Sequence, residues 1–198
     1  MIDFINSIHE APYLTLKEKY DQANSLGQEF IEAISISSYS PSTNEVDSRY
    51  VNLKFIDGYD FIFFTNYNSP KSIQFDEHDQ VTAVFFWSKT NTQIRIKAKI
   101  KKIPREWSQK YFKSRQDEKN ALAISSNQSQ KISSYEDVVS NYEEVLKKND
   151  LNEKPSYWGG FSFRPYYFEF WEGRKFRLNK REIFEKIDND WHKSILQP

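Results

Sequence analysis

The sequence predicts a mainly β protein of the α+β class: an antiparallel barrel with peripheral helices. Three observations lead there. Strand-like runs recur along the 198-residue chain with turn signals between them. Aromatic residues make up 17% of it and gather in those runs. Helical stretches are few and are marked by capping residues or by proline. Many short strands with a few helices outside them suggest a barrel. No composition shift or linker divides the chain, so one domain over residues 1–198 is expected, with residues 1–14 as a loosely held, flexible arm.

The elements follow in order. Thr15 and Glu18 have capping-box spacing, which predicts a helix from Thr15 to about Leu26, stopped by Gly27. Residues 30–38, rich in Ile and Ser, read as a strand, and Ser40-Pro41-Ser42-Thr43-Asn44 as a turn. Residues 48–56 and 59–65 are strands joined at Asp57-Gly58, a hairpin signal. Ser69 as N-cap and Pro70 at the first helical position open a short helix that ends near His78. Residues 81–88 are apolar on both sides and so read as a central strand.

Residues 92–103 alternate cleanly. Ile94, Ile96, Ala98 and Ile100 face one way, and Gln93, Arg95, Lys97, Lys99 and Lys101 the other. Pro104 starts a helix through about Ser114, and a polar loop runs on to Ser134. Ser133 and Glu136 predict a capped helix to about Lys148, and residues 149–156 a connector. Strands near 161–172, 175–185 and 190–196 complete the chain, the last two joined at Asp188-Asn189-Asp190.

Composition excludes several classes. The charges balance, 28 basic against 28 acidic, so bulk electrostatics point to neither nucleic acid nor membrane as a partner. With no cysteine there are no disulfides, thiolate metal sites or cysteine nucleophiles, which fits a reducing compartment. No signal peptide or membrane-length apolar run is visible, and a cytoplasmic protein is expected. His9, His78 and His192 lack metal-ligand spacing, so no metal site is expected. Phosphate-loop and dinucleotide fingerprints are absent. The stripe Arg95/Lys97/Lys99/Lys101 reads as one solvated strand face, because no interleaved aromatics offer base stacking. Without a catalytic triad, any hard chemical step falls to a cofactor.

The stretch Ser156 to Arg181, SYWGGFSFRPYYFEFWEGRKFRLNKR, is the densest in such features. Gly159-Gly160 permits a positive φ or a close approach of another group. Tyr167, Glu169 and Trp171 alternate with Phe168, Phe170 and Glu172, and Arg177 and Arg181 share one side whether on a helix or on a strand. A tryptophan wall, a glycine pair and two arginines suit a flat, anionic ligand.

This stretch resembles the C-terminal signature of the pyridoxamine/pyridoxine 5′-phosphate oxidase family, and the likeness covers nearly the whole chain. The family implies an FMN-binding split β-barrel of Greek-key type, a homodimer with FMN at the interface, and a small phosphate-ester substrate. SRYVNLK resembles the family's Arg-to-Lys strand, which implies FMN contacts for Arg49, Tyr50, Val51, Asn52 and Leu53, with Lys54 serving flavin and substrate. FFTN followed by Lys71 resembles the segment that holds the flavin and its phosphate, giving Phe64, Thr65 and Lys71. Gln93 matches the glutamine at the flavin ring, Gln128-Ser129 the FMN-binding pair, and SYWGGF supplies Trp158. YFKSR resembles the substrate-phosphate segment, giving Tyr111 and Arg115. RLNKR supplies Arg177 for the substrate, as the catalytic residue, and Arg181 for FMN. The terminal Leu196-Gln197-Pro198 also resembles the family's ending.

These residue types suit the chemistry. A phosphate dianion favours Arg and Lys in charge-assisted bonds. A flat isoalloxazine favours aromatic walls and an amide. Three positions depart from the pattern: Pro70 where the family has arginine, Lys119 where it has a serine for the substrate phosphate, and Asn179 where it has histidine. The family's substrate-contacting N-terminal arm is not recognisable in residues 1–14. The resemblance implies oxidation of pyridoxamine or pyridoxine 5′-phosphate to pyridoxal 5′-phosphate, with O2 reduced to H2O2. The same fold also serves FMN oxidases with other substrates, such as the phenazine-forming oxidases, and non-enzymatic flavin-binding proteins.

Overall fold

The computed structural model describes residues 1–147 and 150–198. In order, its elements are β1 (Asp3–Ile5), α1 (Ala11–Ser25), β2 (Ala33–Ser40), β3 (Glu45–Asp57), β4 (Asp60–Asn66) and α2 (Pro70–Glu77). There follow β5 (Gln80–Trp87), β6 (Thr92–Lys102), α3 (Arg105–Lys113), α4 (Asp117–Ser125), α5 (Tyr135–Leu146), β7 (Trp158–Glu172), β8 (Lys180–Ile187) and β9 (Asp190–Leu196).

The alternation read along β6 builds the centre. Ile94, Ile96, Ala98 and Ile100 enter the core while Arg95 and Lys97 stay half-exposed. β6 lies between β5 and β7, and pairing continues β3–β2–β5–β6–β7–β4 and returns from β4 to β3, which closes a ring of strands. β8 and β9 extend the sheet beyond β7, outside the ring. β7 makes this possible by changing partner along its length. Its first half pairs with β4 up to Phe163, and its second pairs with β8 from Tyr167. Pro165, which has no N–H to give, sits in the gap beside a register shift against β6. Aromatic side chains fill the ring, with Phe61 stacked on Phe163 and Phe63 on Phe161. The split-barrel fold class read from the sequence therefore holds.

Several local expectations change. Residues 1–14 are tied down: β1 pairs in parallel with β3, and Ile2, Pro12 and Tyr13 are buried. α1 starts at Ala11 rather than Thr15, because Pro12 sits in its first turn. Thr15 instead bonds back to the Ala11 carbonyl at 2.9 Å as an interior helix residue. Gly27, at φ +70°, ends α1 with bonds from Gly27 N to Asn24 and from Gln28 N to Ala23. β2 is shifted to Ala33–Ser40, since Phe30 has a positive φ.

The polar loop expected after Ser114 contains α4, and the cap of α5 is Ser134, whose side chain accepts from Asp137 N at 3.1 Å. Residues 175–177 form a single tight turn, and β8 begins at Lys180. β5 is central in the sheet, yet its second face stays open, with Phe86 55% exposed. The expected helix end at Lys148 and connector start at Asn149 lie outside the described residues. Among the described residues, no helix is long and apolar enough to cross a membrane.

Candidate functional site

β3, β4 and the starts of α2 and α4 enclose a cleft of about 950 Å³. Its cations are Arg49, Lys54, Lys71, Arg115 and Lys119, against two acids, Glu32 and Asp47. Fourteen of the residues singled out from the sequence meet in it: Arg49, Tyr50, Val51, Asn52, Lys54, Phe64, Thr65, Lys71, Tyr111, Arg115, Lys119, Gln128, Ser129 and Trp158.

The β4–α2 junction buries a lysine. Pro70 fixes the helix start, which carries Lys71 inward until it is 7% exposed. Its ammonium donates to Ser69 Oγ at 3.0 Å, and among the described residues it has no carboxylate partner. Burial first, and then the nearby Arg49 charge, lower its pKa from 10.5 to about 8. Arg49 is half-buried and held by Ser38 Oγ at 2.6 Å and Gln74 Oε1 at 3.0 Å, with Asp47 at 3.3 Å. Burial lowers its pKa too. Two neighbouring cations with so little counter-charge make a place for an anion.

The same cleft holds an aromatic wall and a second cationic group. The Phe64 ring stacks on Tyr111 at 4.0 Å and on Trp158 at 5.2 Å, the latter nearly parallel at 7°. Arg115 stands over the Trp158 ring at 4.7 Å. Its Nη2 donates to the Lys119 carbonyl at 2.8 Å, while among the described residues the buried Nη1 has no partner. Burial lowers its pKa, with the Tyr111 hydroxyl opposing. The unforeseen α4 matters here, because its first turn fixes Lys119 beside Arg115. Gln128 Oε1 accepts from Thr65 Oγ1 and from Asn66 N, both at 3.2 Å, which ties the Gln128-Ser129 turn to β4.

The glycine pair serves close approach, since neither glycine has a positive φ. A Cβ at Gly159 would lie 2.1 Å from the Tyr67 hydroxyl oxygen. Tyr67 packs there and donates to the Gly160 carbonyl at 3.1 Å, which aligns β7 where Trp158 enters the cleft.

Five sequence-derived site residues lie elsewhere. Leu53 is fully buried in the core, because strand alternation turns it inward from its cleft-facing neighbours. Gln93, Arg177, Asn179 and Arg181 do not line the cleft of their own chain. Gln93 pairs across β6–β7 with Trp171, and Trp171 across β7–β8 with Arg181, so the three form one row on a sheet face. Trp171 belongs to this row, and its alternation with Phe170 in the sequence places it on that face. Glu169 stands two residues before Trp171 on the same face of β7, a carboxylate inside an aromatic strand. Asn179 Oδ1 accepts from Arg174 N at 3.1 Å and closes the turn that presents Phe176 and Arg177, both at positive φ, with Phe176 92% exposed.

Comparison with known proteins bears on the family and the fold. Residues 29–149 match the family described as "Pyridoxamine 5'-phosphate oxidase". Residues 158–198 match "Pyridoxine 5'-phosphate oxidase C-terminal dimerisation region". A Hydrogenovibrio crunogenus protein named pyridoxine/pyridoxamine 5′-phosphate oxidase 1 is 35% identical over 94% of this chain and 88% of its own. A Haemophilus influenzae protein named pyridoxine/pyridoxamine 5′-phosphate oxidase is 39% identical over 77% of this chain and 73% of its own. Among solved structures, PhzG of Burkholderia lata, in complex with tetrahydrophenazine-1-carboxylic acid, superposes with a TM-score of 0.90 at 24% identity. That match covers 98% of this chain and 95% of that one.

Proposed function

The chain belongs to the pyridoxamine 5′-phosphate oxidase family, and on that premise we propose that it is an FMN-dependent oxidase of pyridoxamine or pyridoxine 5′-phosphate that forms pyridoxal 5′-phosphate. The observation that carries this reading is the pair of cationic groups in one aromatic-walled cleft, Arg49 with Lys71 and Arg115 with Lys119. Two phosphate esters, a flavin and a substrate, fit such a cleft. The residues suit FMN in particular: a buried ammonium with no carboxylate partner among the described residues suits a dianion, and Phe64, Tyr111 and Trp158 offer flat walls. FMN, when bound, supplies the redox chemistry, accepting a hydride from the substrate and passing electrons to O2 to give H2O2.

The protein's own groups bind and orient. Lys71, Arg49, Thr65, Gln128 and Ser129 hold the flavin phosphate end. Arg115, Lys119, Tyr111 and Lys54 would hold the substrate phosphate, and among the described residues the buried Arg115 Nη1 has no hydrogen-bond partner. Catalysis would then come mainly from the protein positioning the substrate beside the cofactor. We propose further that residues 1–198 act as one FMN-binding domain and that the protein is a cytoplasmic homodimer. A second copy would bring its Gln93–Trp171–Arg181 row and its Arg177 to the cleft, completing the flavin site and the reacting end. The match of residues 158–198 to a dimerisation region supports this, as does the position of that row outside its own chain's cleft.

Steady-state oxidation of pyridoxine 5′-phosphate by FMN-loaded protein, with pyridoxal 5′-phosphate and peroxide measured together, tests the reading. Arg177→Ala is expected to abolish nearly all turnover and leave FMN bound. A colourless monomer that takes up no FMN overturns the proposal. Full flavin loading without turnover of either ester transfers it to another substrate, a second reading favoured by Asn179, whose amide replaces a titratable imidazole.

A further inference from the structure

Outside the cleft, Glu169 on β7 is a deeply buried charged group, 3% exposed. Its Oε2 accepts from Arg95 Nε at 3.0 Å, from Arg95 Nη2 and from the Tyr167 hydroxyl at 3.3 Å. Its Oε1 lies 2.8 Å from both Nε and Nη2 of Arg181. Burial alone would raise its pKa, but hydrogen bonds from Arg95 and Arg181 outweigh that and hold it ionised. Arg181 Nη1 donates to the Gln197 carbonyl at 2.9 Å.

A guanidinium has one N–H on Nε and two on each terminal nitrogen. Glu169 and Gln197 take the Nε donor and one Nη1 donor, so among the described residues the other Nη1 donor and the Nη2 donors, whose nitrogen ion-pairs with Oε1, make no hydrogen bond. Stability alone does not account for such a carboxylate, because apolar side chains replace buried ion networks at little cost. What the network adds is orientation: an arginine with its side edge clamped can present its free donors in only one direction.

We propose that Glu169 is a positioning residue that fixes the Arg181 guanidinium beside Trp171, so that its free Nη1 and Nη2 donors grip an oxygen of the bound flavin. The proposal rests on the FMN reading above. It assigns Glu169 an effect on cofactor affinity that runs wholly through Arg181.

FMN titration followed by flavin fluorescence tests it on the full chain, comparing the unsubstituted protein with E169Q, R181A and the double variant. E169Q is expected to weaken FMN binding by about tenfold. In the R181A background the same change is expected to add nothing. R95A, which frees only the other carboxylate oxygen, is expected to stay within about twofold. If E169Q weakens binding equally in both backgrounds, Glu169 acts on the fold at large and the proposal is overturned. Should E169Q fail to fold, E169D carries the same comparison. No FMN uptake by the unsubstituted protein removes the cofactor reading as well, whereas additivity removes this proposal alone.

Discussion

The cleft and the β6–β8 face hold buried charge in opposite ways. On the face, Arg95 and Arg181 share Glu169, and every oxygen of that carboxylate is engaged. In the cleft, Lys71 is also buried yet rests on a serine hydroxyl, and among the described residues Arg115 keeps a buried nitrogen without a partner. Burying an uncompensated cation is unfavourable, so a fold keeps one where a ligand completes it. The face is finished within the chain and sets geometry. On the proposed reading the cleft is completed by its ligand and governs affinity. Substitutions in the two regions should therefore move stability in opposite directions.

The largest effect is expected on the face. Glu169→Leu strands two arginines against each other and should destabilise the fold by about 3 kcal/mol, read by urea denaturation. In the cleft, Lys71→Met should instead stabilise the ligand-free protein, by about 1 kcal/mol, because it removes a desolvated charge. The same substitution should weaken FMN binding about ten- to a hundredfold, the worth of a hydrogen bond to a charged group. A fall in stability for Lys71→Met would erase the contrast between the regions.

Titration sharpens the comparison. The Lys71 pKa is lowered to about 8 in the fold from an ordinary 10.5. Below 8 both folded and unfolded chains hold the proton, and the burial penalty is fully present. Between 8 and 10.5 the unfolded chain keeps a proton that the folded chain has lost, so stability should rise with pH across that window. Affinity for a phosphate dianion should run the other way, falling by up to about tenfold per pH unit above 8 as the ammonium deprotonates. Calorimetric FMN titrations at several pH values read this, and Lys71→Met should flatten the profile. A flat profile in the unsubstituted protein would mean that Lys71 does not meet the phosphate.

Much of this was legible in the sequence, for identifiable reasons. Periodicity set β6 and its buried Ile94, Ile96 and Ala98, and Ser69-Pro70 set the start of α2. Spaced motifs found most of the cleft, because residues 49–54 and 63–71 lie on adjacent strands and a helix start. What was not legible depends on packing at a distance. α4 has little helical patterning of its own; it is fixed by burial of Asn120 and Ala121, with Asn120 Nδ2 donating to the Phe112 carbonyl at 3.0 Å. The burial of Lys71 follows from what surrounds β4 and α2, not from its neighbours in sequence. Trp171 and Trp158 were equally visible as aromatics, and pairing with Gln93 and Arg181 distinguishes the first.

The smallest expected effect concerns Pro70, where the family has arginine. Pro70 lines the cleft at the first position of α2, and no side chain caps that helix. Ser69, the N-cap residue, donates its hydroxyl to the Asn66 carbonyl and receives the Lys71 ammonium. The helix start thus combines an uncapped N-terminus with a buried cation, an arrangement that favours a phosphate. An arginine there would add a charge-assisted bond of about 1.5–3 kcal/mol. It would also lose the pre-set φ of proline, which contributes about 0.4–1 kcal/mol by limiting the unfolded chain. It would place a further positive charge beside Arg49 and Lys71 as well, and each cation already lowers the benefit of the next. Pro70→Arg should therefore tighten FMN binding by only about three- to tenfold and lower the melting temperature slightly. Paired FMN titration and thermal melts of the ligand-free protein measure both. Tightening without loss of stability would show that the cleft tolerates more charge than the Lys71 pKa implies. Weaker binding would show that the proline-set helix start already presents its N–H groups to the phosphate, and that an arginine disturbs them.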